Sequence, residues 1–470
     1  MVVGNPKQFK MGGRRFAKWL PLILIQAFLW ITFFLFWTTN HSRDIHNPWV
    51  LSGFVFSSYA GLLVGYVVFV HSRRGRLLLR ATNRQTKGRS LLIFFAAIHL
   101  LTYGIATLAE YNCLSVSSIR DALANPGAAY AAKFGVYQDQ LDSNRVSLPI
   151  QLVVTNFWIY YVGLICIVYW WSDIRRSVRV LFLTSVLVYL LAFACIGTQK
   201  ALADVLLLTS VGLLLRYSSL LLANSRREAA VYRMPHWAHA GVALVLFFGY
   251  ISINQLSRAE QFGISERISD DATNSLWGNL LPPKAAVLAN NIANYSSQGY
   301  AGLAHSLTQG PGFSYGFGLA PAAHSYAQQY FGASDCYELT YLARSERETG
   351  WPGRMYWSTA FPWWASDVTF PGVVLLMVLI GSLLARAWLS ALQSGRLAAI
   401  VSLGLLFEML FFITANNQVF ASRTGLWAVM AVIALHFIGV PHHPNKKSPH
   451  VKNEPHTVPS HGPYPESGAT

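Results

Sequence analysis

Three ionisable residues of this chain lie in or at the edge of strongly apolar segments, where a charge is costly. Lys200 and Asp204 are four residues apart, so they share one face of a helix. Glu408 lies inside an apolar run, in the sequence FEMLFF, with no basic residue within one helical turn. Such groups serve a functional site or pair with one another. The spacing leaves open whether Lys200 and Asp204 only hold a turn, and Glu408 is either protonated or paired with another helix.

A compact polar hairpin follows the run that contains Glu408. It reads ITANNQVFASRTG and contains Asn416, Asn417, Gln418 and Arg423. At the end of an apolar run, Arg423 lies at the level of lipid phosphates, and arginine forms bidentate hydrogen bonds to phosphate. The hairpin is therefore either a phosphate-binding edge or a positively charged turn whose amides bond to one another.

A long polar region, residues 255–365, separates two of the apolar runs. Its charges nearest the runs are Arg258 and Glu260 at one end and Asp367 just beyond the other end. Its further cations are Arg267, Lys284, Arg344, Arg347 and Arg354. Most of these charges are expected on a solvated surface, so the three residues nearest the apolar runs are the stronger candidates.

The composition places these residues in a membrane protein. Of the 470 residues, 53% are hydrophobic and only 12% are charged, whereas soluble globular proteins carry about 25% charged residues. The net charge of +16 is spread in short basic clusters between apolar runs, which argues against nucleic-acid binding. The four cysteines form no CxxC pair, so neither a metal nor a redox motif is predicted.

Runs of about 20 apolar residues are long enough to cross a bilayer. The sequence predicts an all-α polytopic membrane protein with about ten transmembrane helices. The predicted spans are 19–38, 49–70, 91–109, 150–171, 179–196, 201–217, 237–254, 366–388, 398–415 and 424–440.

The distribution of basic residues predicts the orientation. Arg14, Arg15 and Lys18 precede the first span, which we interpret as an uncleaved signal anchor. With the N-terminus inside, most of the 36 Lys and Arg residues fall on the cytoplasmic side. Ten spans then place the C-terminus inside as well.

This topology predicts one transmembrane domain over residues 1–440. It includes two periplasmic loops, 110–149 and 255–365, the larger one between spans seven and eight. The larger loop is rich in aromatic residues, so we expect short interfacial helices in it rather than disorder. Residues 441–470 are rich in Pro, His, Lys and Ser and are expected to be a disordered cytoplasmic tail.

Three local patterns resemble a known enzyme family. They are NYSSQGYAGLAHSL followed by GFSYGFG (294–318), RMYWSTAFPWWASDVTFPG (354–372) and NNQVFASR (416–423). Together with the late, large loop, they resemble bacterial oligosaccharide repeat-unit polymerases of the Wzy type, which build O-antigen and exopolysaccharide chains. The segment GTQKALADVLLL also looks like the polar turn and span of this family, in which a basic residue commonly stands where Lys200 does.

The resemblance implies a glycosyltransferase of the bacterial inner membrane. Its substrates are oligosaccharide repeats linked to undecaprenyl pyrophosphate at the periplasmic face, and it needs no soluble cofactor. A growing glycan is transferred to the end of a new lipid-linked repeat, and undecaprenyl pyrophosphate leaves. The resemblance leaves open whether a polysaccharide chain-length regulator binds.

This chemistry needs cations for the leaving group, a base for the acceptor hydroxyl and surfaces for sugar rings. The candidate catalytic residues are Arg354, Asp367, Arg258, Glu260 and His305. The candidate substrate-binding residues are Lys200, Arg423, Asn417, Gln418, Tyr300, Gly299, Tyr315, Trp357 and Trp363. Trp363 is equally explained as an interface anchor, and the glycines as turn residues.

Other functions remain open on the sequence alone. An O-antigen ligase, which transfers the glycan to lipid A core, would have similar spans and a similar loop. A lipid-linked oligosaccharide flippase would show internal repeats and deep charges, of which only Glu408 is evident. A membrane protein that only regulates a synthase would tolerate replacement of the loop arginines.

Overall fold

The computed structural model describes residues 16–78, 88–143, 148–222, 234–263, 265–353 and 356–438. The candidate catalytic residue Arg354 and the tail 441–470 lie outside these ranges. Within them, all regular structure is helical. The class predicted from the sequence, an all-α membrane protein, is therefore confirmed.

The described helices follow one another with short connections. They are α1 (Leu20–Phe36), α2 (Pro48–His71), α3 (Arg73–Leu78), α4 (Arg89–Glu110), α5 (Val116–Ala124), α6 (Pro126–Ser143), α7 (Leu148–Thr155), α8 (Trp158–Tyr169), α9 (Arg176–Cys195), α10 (Lys200–Leu222), α11 (Met234–Gln261), α12 (Ser265–Thr273), α13 (Leu276–Leu280), α14 (Pro283–Ser297), α15 (Gly299–Leu307), α16 (Pro321–Phe331), α17 (Tyr341–Thr349), α18 (Phe361–Ser394), α19 (Leu397–Phe412), α20 (Gln418–Ala421) and α21 (Arg423–Ile438). Short 3-10 helices lie at Asn40–Ser42, Trp171–Asp173 and Tyr337–Leu339.

Five described helices are long and apolar enough to cross a membrane, namely α2, α4, α9, α10 and α18. A sixth span arises if α7 and α8, which are bent by 64° at their junction, are counted together. The apolar helices α1, α19 and α21 have only 17, 16 and 16 residues. The structure thus shows five or six candidate spans in the described ranges, and the figure of about ten stays a prediction.

Two predicted boundaries differ from the structure. Helix α11 continues to Gln261, so Arg258 and Glu260 lie in its last turns rather than in a loop. Helix α18 begins at Phe361, five residues before the predicted span, and breaks at Thr369, whose φ of 64° is left-handed. Pro371 follows that break and lacks the N–H needed to continue the hydrogen-bond ladder. The segment before the break carries Asp367.

Helices α2 and α18 cross with their backbones in contact. A Cβ atom on Gly65 would lie 1.8 Å from the carbonyl oxygen of Val378, and one on Gly381 would lie 2.1 Å from that of Leu62. Small residues that allow such an approach are typical of helix pairs in membranes, where packing rather than the hydrophobic effect drives association. This crossing fixes α18, and with it Asp367, against the bundle.

Replacing Gly65 with alanine should destabilise the protein by about 1–3 kcal/mol, because the added methyl overpacks a backbone contact. Gly53 is the matched control, since it lies on the same helix and a Cβ there meets nothing within 4 Å. Gly53→Ala should be neutral or stabilising, as alanine favours helix. Thermal melting of the two variants in detergent tests this, and equal melting temperatures would contradict it.

The long segment after α11 folds as short helices on top of the membrane helices. Tyr300 and Leu303 of α15 are fully buried and belong to the same hydrophobic cluster as residues of α1 and α2. Helices α14 and α1 also pack together. The segment is therefore ordered and continuous with the core, while the side of the membrane it faces stays a prediction.

Candidate active site

The three sequence motifs come together in space. The amide of Ser314 donates to the carbonyl of Ser366 at 2.9 Å, which joins the first motif to the second. The amide of Ala360 donates to the carbonyl of Ile413 at 2.8 Å, next to the third motif. The side chain of Asn417 donates to the carbonyl of Gly318 at 3.0 Å, which joins the third motif to the first. One folded unit thus contains most of the candidate residues chosen from the sequence.

Asp367 of the second motif is hydrogen-bonded to three residues of the first motif. Its carboxylate accepts hydrogen bonds from the Ser314 hydroxyl at 2.7 Å and from the amides of Gly316 and Leu319 at 2.9 and 2.8 Å. These three hydrogen bonds hold the loop 312–319 against the second motif. Asp367 therefore positions this loop, and its role as a general base stays a prediction.

Two glycines of the first motif, the candidate Gly299 and Gly318, are required by close packing of two backbones. A Cβ on Gly299 would lie 2.1 Å from the carbonyl oxygen of Thr414, and one on Gly318 would lie 2.0 Å from that of Trp363. Only glycine fits such an approach of two backbones. Gly299 thus seats α15 against the end of α19, and no contact of it with a ligand is needed to explain it.

The candidate aromatic residues differ in exposure. Tyr300 is fully buried, and its hydroxyl bonds to those of Tyr59 at 2.5 Å and Thr32 at 3.2 Å. Burial raises the pKa of Tyr300 to about 12. Trp363 packs in a small cluster with Tyr337. The Tyr300 ring is enclosed and offers no surface to a sugar in this structure, whereas the Trp363 ring is half-buried, so its role in sugar binding stays a prediction.

The two remaining aromatic candidates have accessible surface. Tyr315 is 73% exposed, and its φ of 54° turns it out of the loop that Asp367 holds. Trp357 is half-buried, and its ring centroid lies 4.5 Å from that of Tyr295. Both rings therefore have surface that is available to pack on a sugar.

Arg258 stands at the centre of a second group of residues. Its guanidinium lies over the ring of Tyr130, with the central carbon 3.5 Å from the ring centroid. The ammonium of Lys133 lies 5.7 Å from the centroid of the same ring. Arg258 also donates to the carbonyl of Gly197, in the turn that leads to Lys200. Two cations thus share one aromatic ring beside the start of α10, and we call them the Lys133–Arg258 pair.

The charge of the Lys133–Arg258 pair is not neutralised within the described chain. Neither residue forms an ion pair there, and Glu260, two residues from Arg258, is exposed and does not reach it. Burial lowers the pKa of Lys133, and the nearby Arg258 lowers it further. Burial also lowers the pKa of Arg258, whose buried Nε has no hydrogen-bond partner. Such a pair is poised to bind an anion.

Lys200 joins the two acidic residues that the sequence left open. Its ammonium donates to Asp204 on α10 and to Glu408 on α19, the latter at 2.9 Å. The hydroxyl of Tyr161 on α8 donates to the second oxygen of Glu408. Both acids are buried, whereas the Lys200 side chain is 38% exposed. Glu408 is therefore paired with another helix, and Lys200 is the one member that reaches the surface.

An apolar groove lies along the same helices. It has a volume of about 180 Å³ and is bounded by α1, α10 and α19, with Leu207, Phe407 and Phe411 among its walls. Leu207 lies one turn beyond Asp204, and Glu408 falls between the two phenylalanines in sequence. The groove thus runs along the membrane helices that carry the Lys200 group of charges.

The polar hairpin contributes positioning contacts. Arg423 donates to the amide oxygen of Gln329 at 2.9 Å and lies 4.8 Å from the ring centroid of Tyr326. The amide of Gln418 donates to the carbonyl of Asn416 at 3.0 Å. The side-chain oxygen of Asn417 is buried without a hydrogen-bond partner. The hairpin fixes α16 to the start of α21, and Arg423 is engaged in that contact.

His305 of the first motif lies against the ring of Trp351, with 5.6 Å between the ring centroids. Burial lowers its pKa, as do His46 and His41, while Asp44 opposes the shift. His305 is therefore neutral at pH 7 and able to accept a proton. No group of three or more His, Cys, Asp or Glu side chains that could hold a metal ion occurs in the described residues.

The lowered pKa of His305 predicts a pH-dependent stability. As the pH falls through the ordinary imidazole value of about 6.5, the unfolded chain binds the proton before the folded chain does. Stability is therefore present above that value and is lost as the pH falls toward the folded pKa. Melting temperatures at about pH 7 and about pH 5.5 should differ less in His305→Gln than in the wild type. His324→Gln is the control, and an equal change in both variants would contradict the prediction.

Sequence reasoning missed four residues of these groups, namely Tyr130, Lys133, Tyr161 and Tyr295. Lys133 was available as a basic residue in the loop 110–149, but nothing nearby in the sequence marks it. Its importance arises because Arg258 of α11 lies over the same Tyr130 ring, which pattern and spacing do not reveal.

The fold and these groups define the class: a polytopic, all-helical membrane protein in which two cations, Lys133 and Arg258, lie beside the start of α10 and form no ion pair with the described residues. Comparison of the chain with protein-family models, curated proteins and solved structures found no match.

Proposed function

We propose that this protein elongates glycan chains carried on undecaprenyl pyrophosphate, at the periplasmic face of a bacterial inner membrane. It is then a glycosyltransferase that polymerises oligosaccharide repeats into O-antigen or exopolysaccharide. The proposal includes the topology of about ten spans, with both termini inside. It rests on the resemblance of the three motifs and on the chemistry of the cationic groups.

The observation that supports it most is the Lys133–Arg258 pair. A pyrophosphate carries several negative charges, and more charge develops on it as it leaves. Among the residues that the structure describes, these two cations have no carboxylate partner and the buried Nε of Arg258 has no hydrogen-bond partner, an arrangement that fits such a group. Arginine offers paired donors that match phosphate oxygens, while lysine adds a point charge.

The apolar groove and Lys200 are the proposed binding site for the lipid carrier. An isoprenoid chain in the groove between α1, α10 and α19 would bring its head group to the Lys200 end of α10. The Lys133–Arg258 pair reaches the turn before Lys200 through the carbonyl of Gly197. The apolar and anionic parts of one substrate thus meet suitable surfaces in the right order along α10.

The transfer itself follows from these roles. The acceptor hydroxyl oxygen attacks the anomeric carbon of the donor glycan. The bond between that carbon and the pyrophosphate oxygen breaks, and undecaprenyl pyrophosphate leaves with the electron pair. The hydroxyl proton passes to a base. The candidates are Glu260, which is exposed, and His305, which is neutral at pH 7. Tyr315 and Trp357 provide rings for the sugars, and Asp367 holds the loop that carries Tyr315.

Reconstitution tests the function directly. The purified protein in liposomes, supplied with lipid-linked repeat units, should give a ladder of glycans on the lipid carrier. A glycan moved only when lipid A core is added would identify a ligase. Movement of the lipid-linked repeat across the bilayer without a change of length would identify a flippase. Either outcome would replace the polymerase proposal.

A further inference from the structure

Two adjoining cavities lie at the opposite end of the helix bundle from the Lys133–Arg258 pair. Helix α10 begins beside that pair at Lys200, and Arg216 lies 16 residues further on, about 24 Å away along the helix axis. Arg216 lines a cavity of about 240 Å³, together with Arg89, Asp173 and three serines. The start of α4 and the end of α18 also contribute, and both are the ends remote from the candidate active site.

The second cavity is apolar and shares a wall with the first. It has a volume of about 280 Å³ and is lined mainly by Leu91, Leu92 and Phe95 of α4. Arg89 and Trp170 line both cavities, so the two are continuous around these side chains. Leu91 and Phe95 are 59% and 53% exposed, so the apolar cavity opens toward the surroundings of the helix.

The charge at this end of the bundle is strongly positive. Arg89 forms an ion pair with Asp173 and lies over the ring of Trp170. Asp173 is the only acid that lines either cavity among the described residues, whereas Arg216 adds a second cation. Further arginines follow immediately in sequence, at Arg175, Arg176, Arg179 and Arg396. A ligand here is expected to carry an anionic group next to an apolar one.

We propose that these cavities hold one anionic phospholipid of the surrounding leaflet. Its phosphate lies in the polar cavity between Arg89 and Arg216, whose guanidinium groups donate to its oxygens. One acyl chain lies along Leu91 and Phe95 in the apolar cavity. Basic pockets between membrane helices bind anionic head groups in this way. The lipid bridges α4, α10 and the end of α18, and it is separate from any lipid-linked substrate.

Native mass spectrometry of the protein released from nanodiscs tests this. The discs contain equal parts phosphatidylglycerol and phosphatidylcholine, and the ratio of the two lipids retained is measured. The wild type should retain phosphatidylglycerol in excess. Arg216→Gln should weaken that retention about fivefold, the effect of one basic residue at a lipid surface. Arg216→Lys should keep most of it, and Arg120→Gln, on an exposed helix elsewhere, should change nothing.

The outcomes separate the sources of the phosphate group. Equal retention of the two lipids, or an unchanged excess in Arg216→Gln, would overturn the proposal. Stabilisation of the lipid-free protein in detergent by inorganic phosphate, as strong as that by phosphatidylglycerol, would replace it with a free-phosphate site. Should Arg216→Gln fail to fold, a sodium chloride titration of the wild type decides, because the excess must fall as salt screens the charge.

Discussion

Replacing Arg258 with glutamine should abolish glycan elongation while leaving the protein folded. Removing one positioned donor to a developing oxyanion lowers rates by about 10²–10³ in other enzymes. Arg258 contributes both a charge and a buried Nε without a partner, and it stands beside the second cation, Lys133. The measurement is the initial rate of ladder formation by the reconstituted variant, with its melting temperature recorded in the same detergent.

Three further variants make the Arg258 experiment specific. Arg258→Lys keeps the charge but not the paired donors, so it should recover part of the rate. Lys133→Met removes the second cation and should slow elongation less than Arg258→Gln does. Arg347→Gln is the matched control, since the Arg347 side chain is 60% exposed and meets only an exposed acid. An unimpaired rate in Arg258→Gln would remove the anion-binding role, whatever the effect on stability.

The sequence pointed to Arg258 but not to its partners, for a physical reason. Arg258 follows an apolar run directly, and the cost of charge near lipid makes such a position conspicuous. Lys133 and Tyr130 are three residues apart on α6, a helix without a marked amphipathic pattern, and only the packing of α6 against α11 brings them to Arg258. The site is formed by contacts between segments that are distant in sequence, and the local spacing of residues does not predict such contacts.

The fold class was predictable because the length of an apolar run is a local property. The number of spans was harder to predict from the sequence. Residues 150–171 form one apolar run, yet the chain bends by 64° between α7 and α8. Likewise, the run that starts at Ser366 continues a helix from Phe361, with a break at Thr369. Breaks of this kind depend on tertiary contacts, such as the hydrogen bonds that hold Asp367, and hydropathy does not register them.

The partners of Glu408 also come from distant segments, and removing one of them should have a large effect on stability. The sequence offered protonation or a partner on another helix, and the structure shows Lys200 and Tyr161 bonded to it. Lys200→Met should lower the free energy of unfolding by about 3 kcal/mol, because two buried carboxylates lose their common cation. This is the low end of the usual range, since Lys200 is 38% exposed. Thermal or denaturant unfolding in detergent measures it.

The cause is tested by removing the charges together. If the loss in Lys200→Met comes from unpaired carboxylates, then adding Asp204→Asn and Glu408→Gln should restore most of the stability, because amides of the same shape leave no charge uncompensated. The restored variant separates two roles of Lys200. A stable protein that still elongates glycans would make the charge group structural, whereas a stable but inactive one would place Lys200 at the lipid-linked pyrophosphate. A triple variant as unstable as Lys200→Met alone would contradict the explanation by unpaired carboxylates, leaving the lost contact of the Lys200 ammonium with the ring of Phe412 as the cause.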